Sequence, residues 1–292
     1  MNNPVEVVWF PKCGALVAFL LFFSSLWLPA TFAQNTGSPP AQGASIPGLG
    51  ARPFGLNGPG YIEFGGGYSD MYPRPYVPWR DAYVRILASG GRNTFSGEGS
   101  RQNRYGDTGY YYGAGITRDI SDNWFADAHA GSSVGGFFLP KFRFDSSINR
   151  KLLNNKQLVL TGVFGYDKSK QVNHDYRFGP AFTYYTKWSV VGQGGVNFVR
   201  ANPGNLLDLS EYLAITQGHE KEHYITLRAE FGREGYEIVG PLTALQDFAF
   251  RQYSGTWRQW IGVDWGVNII FNHENTPFYR RNGGTVGIFF EY

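Results

Sequence analysis

The sequence predicts an all-β fold: a transmembrane antiparallel up-and-down β-barrel of about 14 strands, or about 12 if two weak segments merge. Three observations lead there. From Tyr61 onward, segments of about ten residues alternate apolar and polar side chains between turn-forming residues, the pattern of a membrane-spanning barrel strand. Beyond residue 33 there is no uninterrupted apolar run of about 20 residues, so helical spans are excluded for the rest of the chain. The composition is polar on average yet rich in rings, with 17% aromatic residues, 39 glycines, 17% charged residues and a mean hydropathy of −0.29.

At the N-terminus, CGALVAFLLFFSSLWL runs from Cys13 to Leu28 without a charge and meets Pro29 and the small-residue exit Ala30-Thr31-Phe32-Ala33. A run this short, closed by a helix breaker and a cleavage-like site, reads as a secretory signal peptide over residues 1–33. Cys13 is the single cysteine and falls inside it, so the mature chain carries no thiol and no disulfide is expected. Residues 34–60 are Pro, Gly and Ser with almost no charge, a flexible periplasmic lead with too little apolar surface to offset the entropy of ordering. The barrel domain is expected over 61–292.

Counting back from the C-terminus, strands fall near 61–69, 79–88, 93–104, 107–118, 123–133, 141–152, 156–167, 174–187, 188–200, 206–217, 223–233, 247–260, 264–273 and 279–292. The clearest is HYITLRAEFGRE, where Ile225, Leu227, Ala229 and Phe231 oppose Thr226, Arg228, Glu230 and Gly232. In KFRFDSSINRKL, Phe142, Phe144 and Ile148 oppose Arg143, Asp145, Ser147 and Asn149. Tight links such as RDISDNW, Asn154-Asn155 and Ile261-Gly262-Val263 read as periplasmic turns. The stretches DMYPRPYVP, VGGFFLP, DKSKQVNH, RANPGN and EGYEIVGPLTALQ read as longer outer loops. Their alternation with the tight links suits an even strand number, and the first strand must pair with the last because lipid offers no partner for an open edge. Trp124, Trp188 and Trp265 beside the turns, and Tyr166, Tyr176 and Tyr279 beside the loops, are expected to form two aromatic girdles.

With the segments laid out, the chain resembles the YaiO-like family of outer-membrane β-barrels. The likeness is carried by YIEFGGGYSD, by TGYYYGAGITRDISDNWFADAHAGSSVGGFFLPKFRFD with its FLP loop and R-x-D strand, and by the terminal YRRNGGTVGIFFEY. It implies the outer membrane of a Gram-negative bacterium, and similar barrels stand behind helical repeats in exopolysaccharide export porins. Here a short lead stands where such repeats would be.

His129 shares a strand face with Asp127, Gly131 and Ser133, whereas Ser132 points the other way, and His129 and Ser133 are about 13 Å apart in an extended strand, too far for a nucleophile and its base. GHEKEHY holds His219, Glu220, Glu222 and His223, but on a turn and without helical H-E-x-x-H spacing. No catalytic residue, metal ligand or cofactor is therefore expected. What remains is a set of charges expected in the lumen: Arg85, Glu98, Asp127, Arg143, Asp145, Arg177, Arg228, Glu230 and Arg251. A charge facing lipid near the midplane costs roughly 2–4 kcal/mol, which favours the inside. They read either as a salt-bridged ladder filling a narrow barrel or as a polar conduit.

The last strand, TVGIFFEY, places Val286, Ile288, Phe290 and Tyr292 on one face and ends on an aromatic residue. This matches a signal for the barrel-assembly machinery, which would pair with that strand by edge augmentation. A formal charge of +3 and a pI near 8.8, without charge blocks, exclude nucleic acid as partner. The sequence thus leads to a non-catalytic envelope barrel of structural or passive-transport type. Its partners are outer-membrane lipid, the assembly machinery during insertion, and a polysaccharide or small hydrophilic solute. A lipid-modifying barrel enzyme and a scaffold of an export complex are the alternatives.

Overall fold

The computed structural model describes residues 58–73, 76–240 and 243–292, which form a closed ring of fourteen antiparallel strands. The expected signal peptide and most of the expected lead lie outside the described residues. In order, the strands are β1 (Gly60–Tyr72), β2 (Trp79–Gly90), β3 (Asn93–Arg104), β4 (Asp107–Asp119), β5 (Trp124–Gly135), β6 (Phe142–Leu152) and β7 (Leu158–Lys168). They continue as β8 (His174–Tyr185), β9 (Val190–Asn202), β10 (Leu206–His219), β11 (His223–Gly240), β12 (Thr243–Trp260), β13 (Trp265–Asn275) and β14 (Arg280–Glu291).

Each strand pairs with its neighbour in sequence, and β1 closes on β14 in a register running from Tyr61↔Glu291 to Tyr72↔Arg280. The seam ends with Gly60 and Tyr292 exchanging backbone hydrogen bonds of 3.0 and 2.9 Å. Closure leaves no sheet edge, so in hydrocarbon every ladder donor keeps a partner. Both ends of the described chain lie at one end of the barrel, here the terminal end, with the turns at 91–92, 120–123, 153–157, 186–189, 220–222 and 261–264. The opposite end is the distal end.

Side-chain alternation sets the two surfaces. On β11, Ile225, Leu227 and Phe231 are exposed on the outside while Thr226, Arg228 and Glu230 are buried inside. On β14, Val286 and Ile288 face out, whereas Phe289 and Glu291 are fully buried inside. Phe290 stacks on Phe64 across the seam at 5.9 Å and on Trp265 at 6.5 Å. Of the terminal-end tryptophans, Trp124, Trp188 and Trp265 are all exposed, and Trp124 also carries the Arg150 guanidinium 5.2 Å above its ring.

Two expectations about the distal end are corrected. The stretch EGYEIVGPLTALQ is not a long loop: β11 continues to Gly240 and β12 starts at Thr243, so an extended hairpin occupies it. Residues Glu234 to Ile238 of that extension are buried on both faces. VGGFFLP does join β5 to β6 at the distal end as expected, but it folds in over the mouth. Gly135 and Gly136, with φ of +64° and +58°, turn the chain inward in a conformation that a Cβ disfavours, and Phe138 and Leu139 are buried. Tyr279 also leaves the expected girdle: only 1% exposed, it points into the barrel mouth.

Candidate functional site

The candidate site is the barrel interior, which is filled by three tiers of side chains. At the terminal end the hub is Glu63 of β1, fully buried. Its carboxylate accepts from Tyr83 of β2 at 2.8 Å, Arg258 of β12 at 3.1 Å and Asn268 of β13 at 3.2 Å, with Arg85 at 3.9 Å. Arg258 also lies 3.6 Å from Glu291 and stacks 3.3 Å above the Phe289 ring. Glu291 in turn accepts from Trp260 Nε1 and Lys221 Nζ, each at 3.0 Å. One acid thus ties strands on both sides of the β1–β14 seam, and its lone pairs are used, the condition under which a buried charge is tolerated.

The middle tier is a second ion-pair lattice on β6, β7 and β8. Arg177 donates to Asp145 at 2.7 Å and to Asp167 at 3.1 Å, while Arg143 donates to Asp145 at 2.6 Å. Across the ring, Arg228 donates to Glu230 at 2.9 Å and stacks 3.8 Å over Tyr212. A hydrogen-bond relay ending on a carboxylate adjoins the first lattice: Ser147 donates to Asp127, Asn149 to Ser147 at 2.6 Å, and Thr161 to Asn149 at 2.7 Å. Such networks stiffen the interior when every member is satisfied.

The distal tier is a plug. Tyr105, on the β3–β4 turn, donates its hydroxyl to Glu237 of the β11 extension, and Tyr279 places its hydroxyl 2.8 Å from Glu237 and 2.6 Å from Glu274. Arg281 pairs with Glu274 and stacks 4.6 Å over Trp79, whose ring meets Tyr105 at 5.4 Å. The other face of the extension packs Tyr236 and Ile238 against Ala201 and Phe137. Burial pushes the Tyr105 and Tyr279 hydroxyls well above the ordinary tyrosine range, with the neighbouring carboxylates acting in the same direction. Both therefore stay protonated and keep donating. Contacts reach this tier from β1–β2, β3–β4, β5–β6, β9 and β13–β14, so the extension lies across the mouth.

Most of the charges expected in the lumen lie on the inner face: Arg85 with Glu63, Glu98 with His129, Asp127 with Ser147, Arg143 with Asp145, and Arg177, Arg228 and Glu230 as described. Arg251 does not. It is exposed on the lipid-facing side with Tyr253 and Trp257, because β12 turns Phe248 and Phe250 inward at this height. Near the rim its long side chain can reach polar surroundings while its stem stays in apolar ones. The inward cation of that strand is Arg258, which the sequence reading missed although Trp257 and Gln259 flank it. Glu63 was also missed, and its alternation with Ile62 and Phe64 in YIEFGGGY was the available signal. Tyr105 and Glu237 had none, since turn residues and doubly buried strands show no period.

The catalytic candidates stand as follows. His129 Nε2 lies 3.6 Å from Glu98 Oε1, while Ser132 donates to Lys141 O at 2.8 Å and Ser133 to Pro140 O at 2.6 Å. Neither serine is paired with the imidazole. At the end of β10, beside the 220–222 turn, His219 Nε2 meets Ser189 Oγ at 2.8 Å and Nδ1 lies 3.9 Å from Glu222.

The family model described as the YaiO membrane beta barrel domain matches residues 61–237. The chain belongs to that family. The match starts in β1 and ends at Glu237, inside the extended β11, so this YaiO barrel places its plug residue at the edge of the matched region. Solved structures share the fold. The CymD monoaromatic hydrocarbon channel matches with a TM-score of 0.51 at 6% identity, covering 80% of this chain and 87% of that one. A bacterial polysaccharide outer membrane secretin matches with a TM-score of 0.50 at 8% identity, covering 80% and 98%. No curated protein sequence matches the YaiO barrel.

Proposed function

We propose that this YaiO barrel resides in the outer membrane and serves passive transport of a small hydrophilic solute through an interior closed, in this conformation, by the β11–β12 extension. The observation that carries this is the pairing of a two-signed inner wall with a discrete plug. Arg143, Asp145, Arg177, Arg228 and Glu230 line the middle, and the Tyr105–Glu237–Tyr279 contacts close one end. A barrel needing only mechanical filling would be as stable with apolar side chains in place of such ion pairs. A wall carrying both signs suits a neutral polar solute better than a single ion. A saccharide is the first solute to test, in line with the export link that the sequence resemblance implies. The hydrogen bonds of Ser132 and Ser133 to backbone carbonyls support a non-catalytic reading of the DAHAGSS segment.

The deciding experiment is conductance of the refolded barrel in planar bilayers, wild type beside a variant lacking residues 235–246. Rare openings in the wild type and frequent ones in the variant are expected. An absence of openings in both, with the variant correctly folded, would reject the transport reading.

A further inference from the structure

On the outer wall toward the distal end, four exposed arginines have no partner among the described residues: Arg80 of β2, Arg101 of β3, Arg251 of β12 and Arg280 of β14. Strand register sorts them into two pairs. Arg251 and Arg280 both stand opposite Asn275 of β13, so they share one row two strands apart, with roughly 10 Å between their backbones at the usual strand spacing. Arg80 stands opposite Asn103, which makes Arg101 its diagonal neighbour on the same face, at roughly 7–8 Å. The two pairs flank β1, where Arg280 is opposite Tyr72 and Arg80 is opposite Tyr68.

The outward acids on this side, Asp70 of β1 and Glu211 of β10, form no ion pair with any of the four among the described residues. By contrast, Arg200 and Arg233 on the same wall are taken up by Asn205 and Asp247. Like charges on neighbouring positions of a sheet destabilise it, and the lower dielectric where water gives way to hydrocarbon strengthens their repulsion. Groups that complement an anion stand beside both pairs. The Asn275 side chain lies between Arg251 and Arg280, and the Tyr68 and Tyr72 rings are 50% and 67% exposed on the strand between the pairs. Toward the midplane the same outward face continues as bare apolar wall, with Val84 and Ile86 on β2 and Val286 and Ile288 on β14.

We propose that the two arginine pairs are binding sites for anionic lipid, each holding the phosphate of one headgroup while the acyl chains run down the apolar wall beneath. A guanidinium fork offers two parallel donors to phosphate oxygens, a stronger and more directional contact than a point charge makes. Clusters of basic residues at a membrane surface attract anionic lipid for the same electrostatic reason. The wall below selects the amphiphile over a free anion, which would leave that apolar face unused. Two bound lipids would neutralise the four guanidiniums and brace the β1–β14 seam from outside, β12 and β14 on one flank and β2 and β3 on the other. The inference needs the barrel to lie in a membrane and does not depend on the transport reading.

The test titrates the refolded barrel in detergent with dioleoyl phosphatidic acid, dioleoyl phosphatidylcholine or inorganic phosphate, and counts adducts by native mass spectrometry. Two phosphatidic acid molecules should be retained at concentrations at least about tenfold below those that phosphatidylcholine needs, and inorganic phosphate should leave no adduct. Arg80→Gln with Arg101→Gln should remove one of the two, and Arg251→Gln with Arg280→Gln the other. Arg118→Gln with Arg150→Gln takes the same charge from exposed positions at the terminal end and should remove neither. Folding is verified by heat-modifiable gel migration, and the single substitutions replace any double variant that fails it. Equal retention of phosphatidylcholine would overturn the inference, as would adducts with inorganic phosphate. So would unchanged retention in the distal variants, or an equal loss in the terminal-end variant.

Discussion

Tyr105 and Glu237 meet across the barrel mouth, a turn hydroxyl donating to a carboxylate from a strand nearly opposite in the ring order. A hydrogen bond to a charged partner contributes about 1.5–3 kcal/mol. Tyr105→Phe removes the donor and keeps the ring that packs on Trp79. The ratio of open to closed channel should rise roughly tenfold to hundredfold, read as open probability in planar bilayers. An unchanged open probability would show that the Tyr105 hydrogen bond does not hold the extension closed, leaving that role to Tyr279 and packing.

At the other end, Glu63 concentrates the β1–β14 closure in one side chain. Glu63→Ala leaves Arg258 buried without its 3.1 Å partner, and breaking a buried pair costs about 3–5 kcal/mol. The folded band on heat-modifiable gels should convert at a distinctly lower temperature. In the double variant with Arg258→Met, the combined loss should be smaller than the sum of the single losses, because the stranded charge is gone. Additive losses would contradict the pairing.

The outer wall makes its own prediction. Leu227 is 59% exposed in the middle of β11, facing away from Arg228 and Glu230. Leu227→Arg puts a cation into hydrocarbon at a cost of roughly 2–4 kcal/mol, and folding yield into lipid vesicles should drop accordingly. Arg251→Leu, on the same outer side but near the rim, should leave that yield unchanged. A fully folded Leu227→Arg barrel would reject the assignment of faces.

The last residues are the fourth test. Phe290 stacks between Phe64 and Trp265, and Tyr292 sends its hydroxyl to Leu87 O at 3.1 Å. Deleting Phe290 to Tyr292 should abolish membrane assembly in cells, assayed by protease protection. Normal assembly of the truncated chain would show that Val286, Ile288, Phe290 and Tyr292 do not form the insertion signal.

Why some of this was legible in the sequence and some was not follows from what sits inside the ring. On β6, β11 and β14, polar interiors face apolar exteriors, so period-two alternation gives strand, register and face together. Toward the distal end the interior fills with rings, such as Phe248, Phe250 and Tyr236. There the contrast between faces vanishes, Arg251 takes the wrong phase, and the buried Glu234 to Ile238 segment resembles a loop. The Glu63 hub depends on cross-ring partners nearly 200 residues away in sequence, 195 for Arg258, which no local pattern encodes.

The exchange of backbone hydrogen bonds between Gly60 and Tyr292 also bears on how the molecule comes into being. A chain lacking even its final strand would leave two raw ladders facing oil, and no rearrangement of the remaining hairpins could mask both. Prematurely terminated copies should thus have no partial activity and no resting place in the bilayer, and quality-control proteases should meet only finished barrels or discarded fragments.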